Sequence, residues 1–377
     1  MFRRSPIALL ALFALAVAAP LAAGPPDRAN NRKTVTVMTR NLYLGADVTP
    51  VIVAAATGTE EDVVAAVSEV WAVVQFTDFP ARAAGLAGEI AAAQPDLIGL
   101  QEAELWQSQP IPGASDPDAQ PVELDFPQIL VDALAARGLH YGIVAKETGF
   151  SITLPGFTAD GLAFLSLTEH EVILARTDLK TSELKLSNVQ TGHFETNVEF
   201  EVPATGEVVT VQRGWASVDA KVRGKSFRFL TTHLEADSLD VRNAQAIETI
   251  LGPANTALPV VLVADANSDA NGESPEWDSA AYDAFLGAGF TDAWFQAHPG
   301  ELVTTCCNAP DLTNPVFPDP SDDEGRIDLV LYRGAGDFHT LGATLLGADP
   351  SDRVSNGLAL IWPSDHAGIA ATLQIHN

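Results

Sequence analysis

The sequence predicts an α/β fold: a four-layer sandwich in which two packed, mixed β-sheets are flanked by helices. Short runs rich in Val, Ile and Leu recur in both halves of the chain, and amphipathic helical segments alternate with them. No internal repeat divides the chain, and its 377 residues are ample for one large domain with a dry core.

The first residues read as an address. Arg3 and Arg4 precede an apolar run over 7–19 and small residues at Ala22 and Ala23, so residues 1–23 are expected to be a secretory signal peptide and the protein to be secreted. That run is shorter than the roughly 20 apolar residues of a membrane span. Residues 24–33 read as a polar linker, and 34–377 as a single domain.

Residues 35–39 alternate like a strand. A helix is expected over 60–74, with Val63, Val64, Val67, Val70 and Trp71 on one stripe, and another over 80–93, stopped by Pro95. The buried run 97–100 follows, then a Pro- and Asp-rich loop over 107–121 and a helix over 126–137 closed by Gly138. Strands are expected at 141–145, 172–175, 208–219 and 227–232. A helix over 237–251 starts from Asp237 or Ser238. Strand 258–263, helix 279–286, and strands 327–332 and 368–375 complete the fold, and 306–323 reads as irregular.

The formal charge is −28. Such a surface repels polyanions, and no basic stripe offers to displace phosphate counterions, so tight binding of duplex nucleic acid is not expected. The two cysteines, Cys306 and Cys307, are neighbours, which leaves three states open: a vicinal disulfide, an intermolecular pair, or two buried thiols. They offer no zinc framework. Trp106, Phe150, Ile152, Leu154 and Phe157 suit either core or a transient contact with a membrane surface.

The chemistry gathers at strand ends. Six times a buried strand adjoins polar groups suited to metal or phosphate: Arg40 and Asn41; Glu102; His233; Asp265 and Asn267; Asp328; and Ser364, Asp365 and His366. Each alone reads as a turn, a solvated strand end or a core histidine; their joint occurrence points to one cleft at the edge of stacked sheets. Carboxylate and amide oxygens suit a hard cation, so Mg²⁺ or Mn²⁺ is expected rather than zinc. Ser364, Asp365 and His366 are contiguous, and so cannot form the relay of a serine hydrolase.

These motifs resemble those of the endonuclease/exonuclease/phosphatase superfamily. Met38-Thr39-Arg40-Asn41-Leu42 is similar to its first-strand asparagine motif, and Pro95 to Glu102 to its glutamate motif. Thr231-Thr232-His233-Leu234, with Arg242 and Gln245 after it, resembles the histidine strand and following helix of the deoxyribonuclease and sphingomyelinase branches. Residues 261–267, Arg326-Ile327-Asp328 and Ser364-Asp365-His366 resemble the remaining motifs, in the expected order. The resemblance implies hydrolysis of a phosphoester by in-line attack of water. Glu102 would hold the metal with Asn41 and Asp365. Asp265 would activate the water that Asn267 positions, and His366, backed by Asp328, would act on the phosphoryl group. His233 would be a second donor, with Glu171 as its carboxylate partner.

Departures from the pattern are Ala264 before Asp265, Ala367 after His366, and the 306–323 insertion; they leave the substrate class open among lipid headgroups, nucleotides and short nucleic acids. A phosphomonoesterase and a non-catalytic binding module are the alternatives. Asp265, Asn267, Asp269, Asn271 and Glu276 also stand at offsets reminiscent of a structural Ca²⁺ loop, although Ala270 occupies the position of its turn-forming glycine.

Overall fold

The computed structural model describes residues 33–376 except 203–205, 273, 275–277, 321–324 and 335. The expected signal peptide and all of the expected linker except Lys33 therefore lie outside the described residues, as does Glu276 of the calcium-like loop.

Side-chain alternation along the buried strands sets the layers. The first sheet runs in the order Phe338–Leu346, Gly368–Ile375, Thr34–Asn41, Leu97–Gln101, Gly161–Arg176, Leu105–Ser115, Val122–Asp125, with Tyr141–Thr158 also paired to Gly161–Arg176. The second runs Phe290–Asp292, Asp328–Arg333, Val260–Asp265, Lys225–His233, Gly214–Val222, Leu184–His193. Val35, Val37 and Leu97 from the first sheet share one buried cluster with Phe229, Val261, Val263 and Val330 from the second. The intervening Met38, Ile98 and Leu100 face the other way, onto Val67, Trp71, Leu86, Ile90 and Leu130 of the helices Glu60–Phe76, Phe79–Ala93 and Phe126–Ala136. Leu230, Leu262 and Leu329 likewise meet Ala246, Ala281 and Phe285 of Leu239–Leu251 and Ala280–Gly287. The order is helices, sheet, sheet, helices, as the sequence predicts.

Gly99 marks a close approach of the two sheets. A Cβ there would lie 2.3 Å from Val263 Cγ2 and 2.5 Å from Thr231 Oγ1. Both neighbours are β-branched strand residues with little freedom to move aside. We expect Gly99→Ala to destabilise the protein by about 1–3 kcal/mol through overpacking; an unchanged denaturant midpoint would show that the sheets can separate without cost.

The local signals hold at several boundaries. Thr59 and Asp62 form a reciprocal capping box before Glu60–Phe76, and Gly138 takes a left-handed φ of 76° just past Phe126–Ala136. Ser238 is the N-cap of Leu239–Leu251, without a side-chain cap bond. Two expectations need correction. The loop over 107–121 is largely the outer part of the strand Leu105–Ser115; Pro110 and Pro112 are accommodated because that part pairs only with Gly161–Arg176 and shifts register after Pro110. The single strand at 208–219 is two, Glu207–Val211 and Gly214–Val222, broken at Gln212 and Arg213. Trp106 is core, 5% exposed, and donates its indole N–H to Leu44 O at 2.7 Å. Phe157, by contrast, is 55% exposed.

Candidate active site

Strand direction and register bring the polar ends together. Thr34–Asn41 and Leu97–Gln101 are parallel, with Asn41 beside Gln101, so Asn41 and Glu102 emerge at the same edge. In the second sheet Lys225–His233 and Val260–Asp265 are parallel, with His233 beside Asp265, and Asp328 starts its antiparallel strand opposite Asp265. Gly368–Ile375 runs back along Thr34–Asn41, which puts Asp365 and His366 at that edge too.

Asp265 Oδ2 is the hub. It accepts from Asn41 Nδ2 at 2.9 Å and lies 3.5 Å from His233 Nε2 and 3.6 Å from His366 Nδ1. Asn41 Nδ2 also donates to Glu102 Oε1 at 2.8 Å, and Leu44 N–H donates to Glu102 Oε2 at 2.6 Å. Asn41 Oδ1 accepts from Tyr43 N–H at 2.8 Å, so the amide bridges the two carboxylates through its nitrogen and orients Glu102. His366 Nδ1 bonds Asp328 Oδ2 at 2.8 Å. Asn267 donates its N–H to Asp265 Oδ1 at 3.1 Å and its Nδ2 to Leu234 O at 2.7 Å. Tyr43, Glu102 and Asn267 all take left-handed φ values, 60°, 48° and 47°, a backbone cost held in place by these bonds.

Charge is distributed unevenly. Burial opposes the imidazolium of His366, but Asp328, Asp365 and Asp265 overcome it and hold the ring well above its ordinary range. Burial likewise opposes ionisation of Asp265, and there the facing His233 and His366 with the Asn41 amide win, keeping it low. Asp328 goes the other way: burial raises it despite His366, and its Oδ1 has no hydrogen-bond partner among the described residues. Asp365 is pushed up to about 7, first by burial and then by Glu102 and Asp265, against the lowering pull of His366 and Arg82. A carboxylate crowded by like charge is the environment a cation relieves. Ligand atoms of Glu102, Asp265 and His366 lie within 4.8 Å of one another, and the oxygen-rich donor set fits a hard divalent ion.

Several participants act through partners that the sequence does not show. Arg40 is fully buried, pairs bidentately with Glu89 at 2.9 and 3.0 Å, and donates to His366 O at 2.5 Å, which ties the segment carrying His366 to the first strand. Arg82, also fully buried, donates to Leu42 O at 2.5 Å, Tyr43 O at 3.2 Å and Pro363 O at 3.2 Å, and burial lowers it to about 10. Arg242 and Gln245 hold the loop after His233: Arg242 Nε donates to Glu235 O at 2.8 Å, and Gln245 Oε1 accepts from Glu235 N–H at 2.8 Å. Behind His233 the carboxylate within reach of Nδ1 is Glu169, at 3.5 Å, with Arg213 Nη1 at 3.0 Å. Glu171, the partner expected from position, is two residues along the same strand and shares a cluster with Glu169 and His233 whose ligand atoms lie within 4.8 Å of one another. A Glu at both 169 and 171 was the readable signal; nothing in the sequence singles out Arg213.

The calcium-like segment turns inward on itself. Asp269 Oδ1 accepts from Asn271 N–H at 2.9 Å and Arg326 N–H at 3.0 Å, and Oδ2 from Ser274 N–H at 3.1 Å, while Asp265 faces the histidines. Cys306 and Cys307 turn their sulfur atoms toward each other. Their segment lies along the turn that carries Asp365 and His366: Ala367 N–H donates to Thr305 O at 2.8 Å and Asn308 N–H to Asp365 O at 2.8 Å. Trp362 and Phe317 pack the following loop onto Tyr43.

The fold is shared with solved structures. An endonuclease/exonuclease/phosphatase family protein from Leptotrichia buccalis superposes with a TM-score of 0.52 at 16% identity, covering 91% of this chain and 100% of that one. A mannosyl-6-phosphatase from Bacteroides thetaiotaomicron gives a TM-score of 0.51 at 18% identity, over 91% and 100% of the two chains. TDP2 from D. rerio, complexed with a single-strand DNA product, gives 0.50 at 17%, over 90% and 99%. No curated protein matches the chain. The endonuclease/exonuclease/phosphatase family model matches residues 74–366, a span that contains Glu102, His233, Asp265, Asp328 and His366, and the chain therefore belongs to that family.

Proposed function

We propose that the protein is a divalent-metal-dependent phosphoesterase acting chiefly on phosphodiesters, and that it works outside the cell after loss of residues 1–23. The observation that carries the reading is the position of Asp265: a buried carboxylate within 3.6 Å of two histidines and bonded to Asn41, which in turn orients Glu102. Glu102 would hold Mg²⁺ or Mn²⁺ with Asp365, Asn41 orienting it. The ion, when bound, polarises a phosphoryl oxygen and stabilises the leaving alkoxide. Asp265 takes the proton of the attacking water, and Asn267, pinned through its Nδ2, steadies that water. The imidazolium of His366, fixed by Asp328, donates to the phosphoryl oxygens as negative charge builds on them. His233 adds a second N–H to the same charge.

The diester assignment follows the likeness of Thr231-Thr232-His233-Leu234 to the deoxyribonuclease and sphingomyelinase branches. Two proteins that share the fold, a mannosyl-6-phosphatase and TDP2 complexed with a single-strand DNA product, support phosphoester chemistry as the reaction class. The exposed Phe157 is available for transient contact with a lipid surface.

The test is hydrolysis of bis(p-nitrophenyl) phosphate and of p-nitrophenyl phosphate by purified protein in Mg²⁺ or Mn²⁺. We expect the diester to be preferred, EDTA to abolish turnover and excess metal to restore it. Turnover that persists in chelator would reject the metal role, and preference for the monoester would reject the diesterase assignment. A panel of sphingomyelin, phosphatidylcholine, RNA and plasmid DNA, with His366→Ala as blank, then identifies the substrate.

A further inference from the structure

The two site histidines are backed by opposite chemistry. His366 Nδ1 faces a carboxylate, Asp328, at 2.8 Å. His233 Nδ1 faces a guanidinium: Arg213 Nη1 is 3.0 Å away, nearer than Glu169 Oε1 at 3.5 Å. Arg213 lies at the break between Glu207–Val211 and Gly214–Val222, with its side chain only 12% exposed. Nη1 makes a close ion pair with Glu169, and Nε is 3.9 Å from Glu235. Its N–H and carbonyl are committed as well, to Asn197 Oδ1 at 2.9 Å and Phe194 N–H at 3.0 Å. The backbone is thus fixed, and Nη1 is held by Glu169 against His233.

A guanidinium only donates and does not lose its proton in proteins, so a ring nitrogen bonded to it must present its lone pair. The ring proton then belongs to Nε2, the nitrogen 3.5 Å from Asp265 Oδ2. We infer that Arg213 is a positioning residue that fixes His233 as the neutral Nε2–H tautomer, so that the ring presents an N–H donor to the cleft beside Asp265. The inference rests on the hydrolase reading for its consequence. A neutral Nε2–H steadies Asp265 in the resting site and turns to the phosphoryl oxygens as their charge grows. Glu169 holds Arg213, and so acts on His233 through it.

The experiment reads the ring directly. In Mg²⁺-loaded protein carrying ¹⁵N-labelled histidine, two-bond ¹H–¹⁵N correlation spectra, assigned with His233→Gln, should show His233 Nδ1 unprotonated and Nε2 protonated. Arg213→Lys, which keeps a charged donor, should preserve that pattern and most of kcat. Arg213→Met should move the proton to Nδ1, toward Glu169, and lower kcat by about tenfold with little change in KM, a smaller loss than removal of an acid–base group. A proton on Nδ1 in the unmodified protein overturns the inference, and needs no variant to fold; an unchanged tautomer in a folded Arg213→Met protein overturns the role of Arg213. Should the protein prove inactive on every phosphoester, the tautomer would still be measured, so failure of the hydrolase reading and failure of this one are distinguishable.

Discussion

Glu102→Ala is expected to reduce diester turnover by three orders of magnitude or more, equivalent to roughly 4 kcal/mol of transition-state stabilisation. Glu102 follows the buried strand Leu97–Gln101 and takes a left-handed φ of 48°, and its carboxylate is aimed by Asn41 Nδ2 at 2.8 Å and Leu44 N–H at 2.6 Å. Two donors spent on orienting one side chain at a strained backbone position indicate a group required for its charge. Loss of that charge should weaken Mg²⁺ binding in isothermal titration in parallel with kcat. Stability should change by only about 1 kcal/mol, because Asn41 retains its bond to Asp265 and a crowded negative charge is relieved. A folded variant that binds Mg²⁺ normally and turns over within tenfold of the parent would remove Glu102 from the site.

His366→Ala should lower kcat by about 10²- to 10⁴-fold, the range for a lost proton-transfer or charge-stabilising group. Asp328→Asn is the more informative partner. His366 is held above its ordinary range, so its imidazolium persists through neutral pH and is lost only as pH rises through the raised value. Asp328 is the leading cause of that rise and also bonds Nδ1 at 2.8 Å. With asparagine there the proton leaves at lower pH. The basic limb of the kcat profile should therefore shift toward acid, and activity lost at neutral pH should return partly on acidification. A basic limb that stays in place would assign the ionisation to another group.

Much of the site was legible because it stands where short apolar strands stop. Buried central strands such as Leu97–Gln101 and Val260–Asp265 are almost wholly apolar, so an abrupt Glu102 or Asp265 is visible against them. The outer halves of Tyr141–Thr158 and Gly161–Arg176 are half-exposed, with Ser151 paired to Thr168 and Thr153 to Ser166, and their mixed pattern hides strands that extend well beyond the expected 141–145 and 172–175. Buried arginines were opaque for a different reason. Arg82 and Arg213 act through carbonyls, a carboxylate and a histidine brought near only by tertiary folding, and sequence periodicity carries no record of such partners.

The pairing of Thr34–Asn41 with Gly368–Ile375 has a consequence for when the cleft is complete. Asp365 and His366 follow Asn41, Glu102 and Asp265 in the chain and arrive just ahead of a strand that must slot between one of the first elements made and Phe338–Leu346. Such remote closure is slow compared with local contacts. A growing polypeptide would accordingly leave the cleft without its last two polar groups until residue 375 had joined.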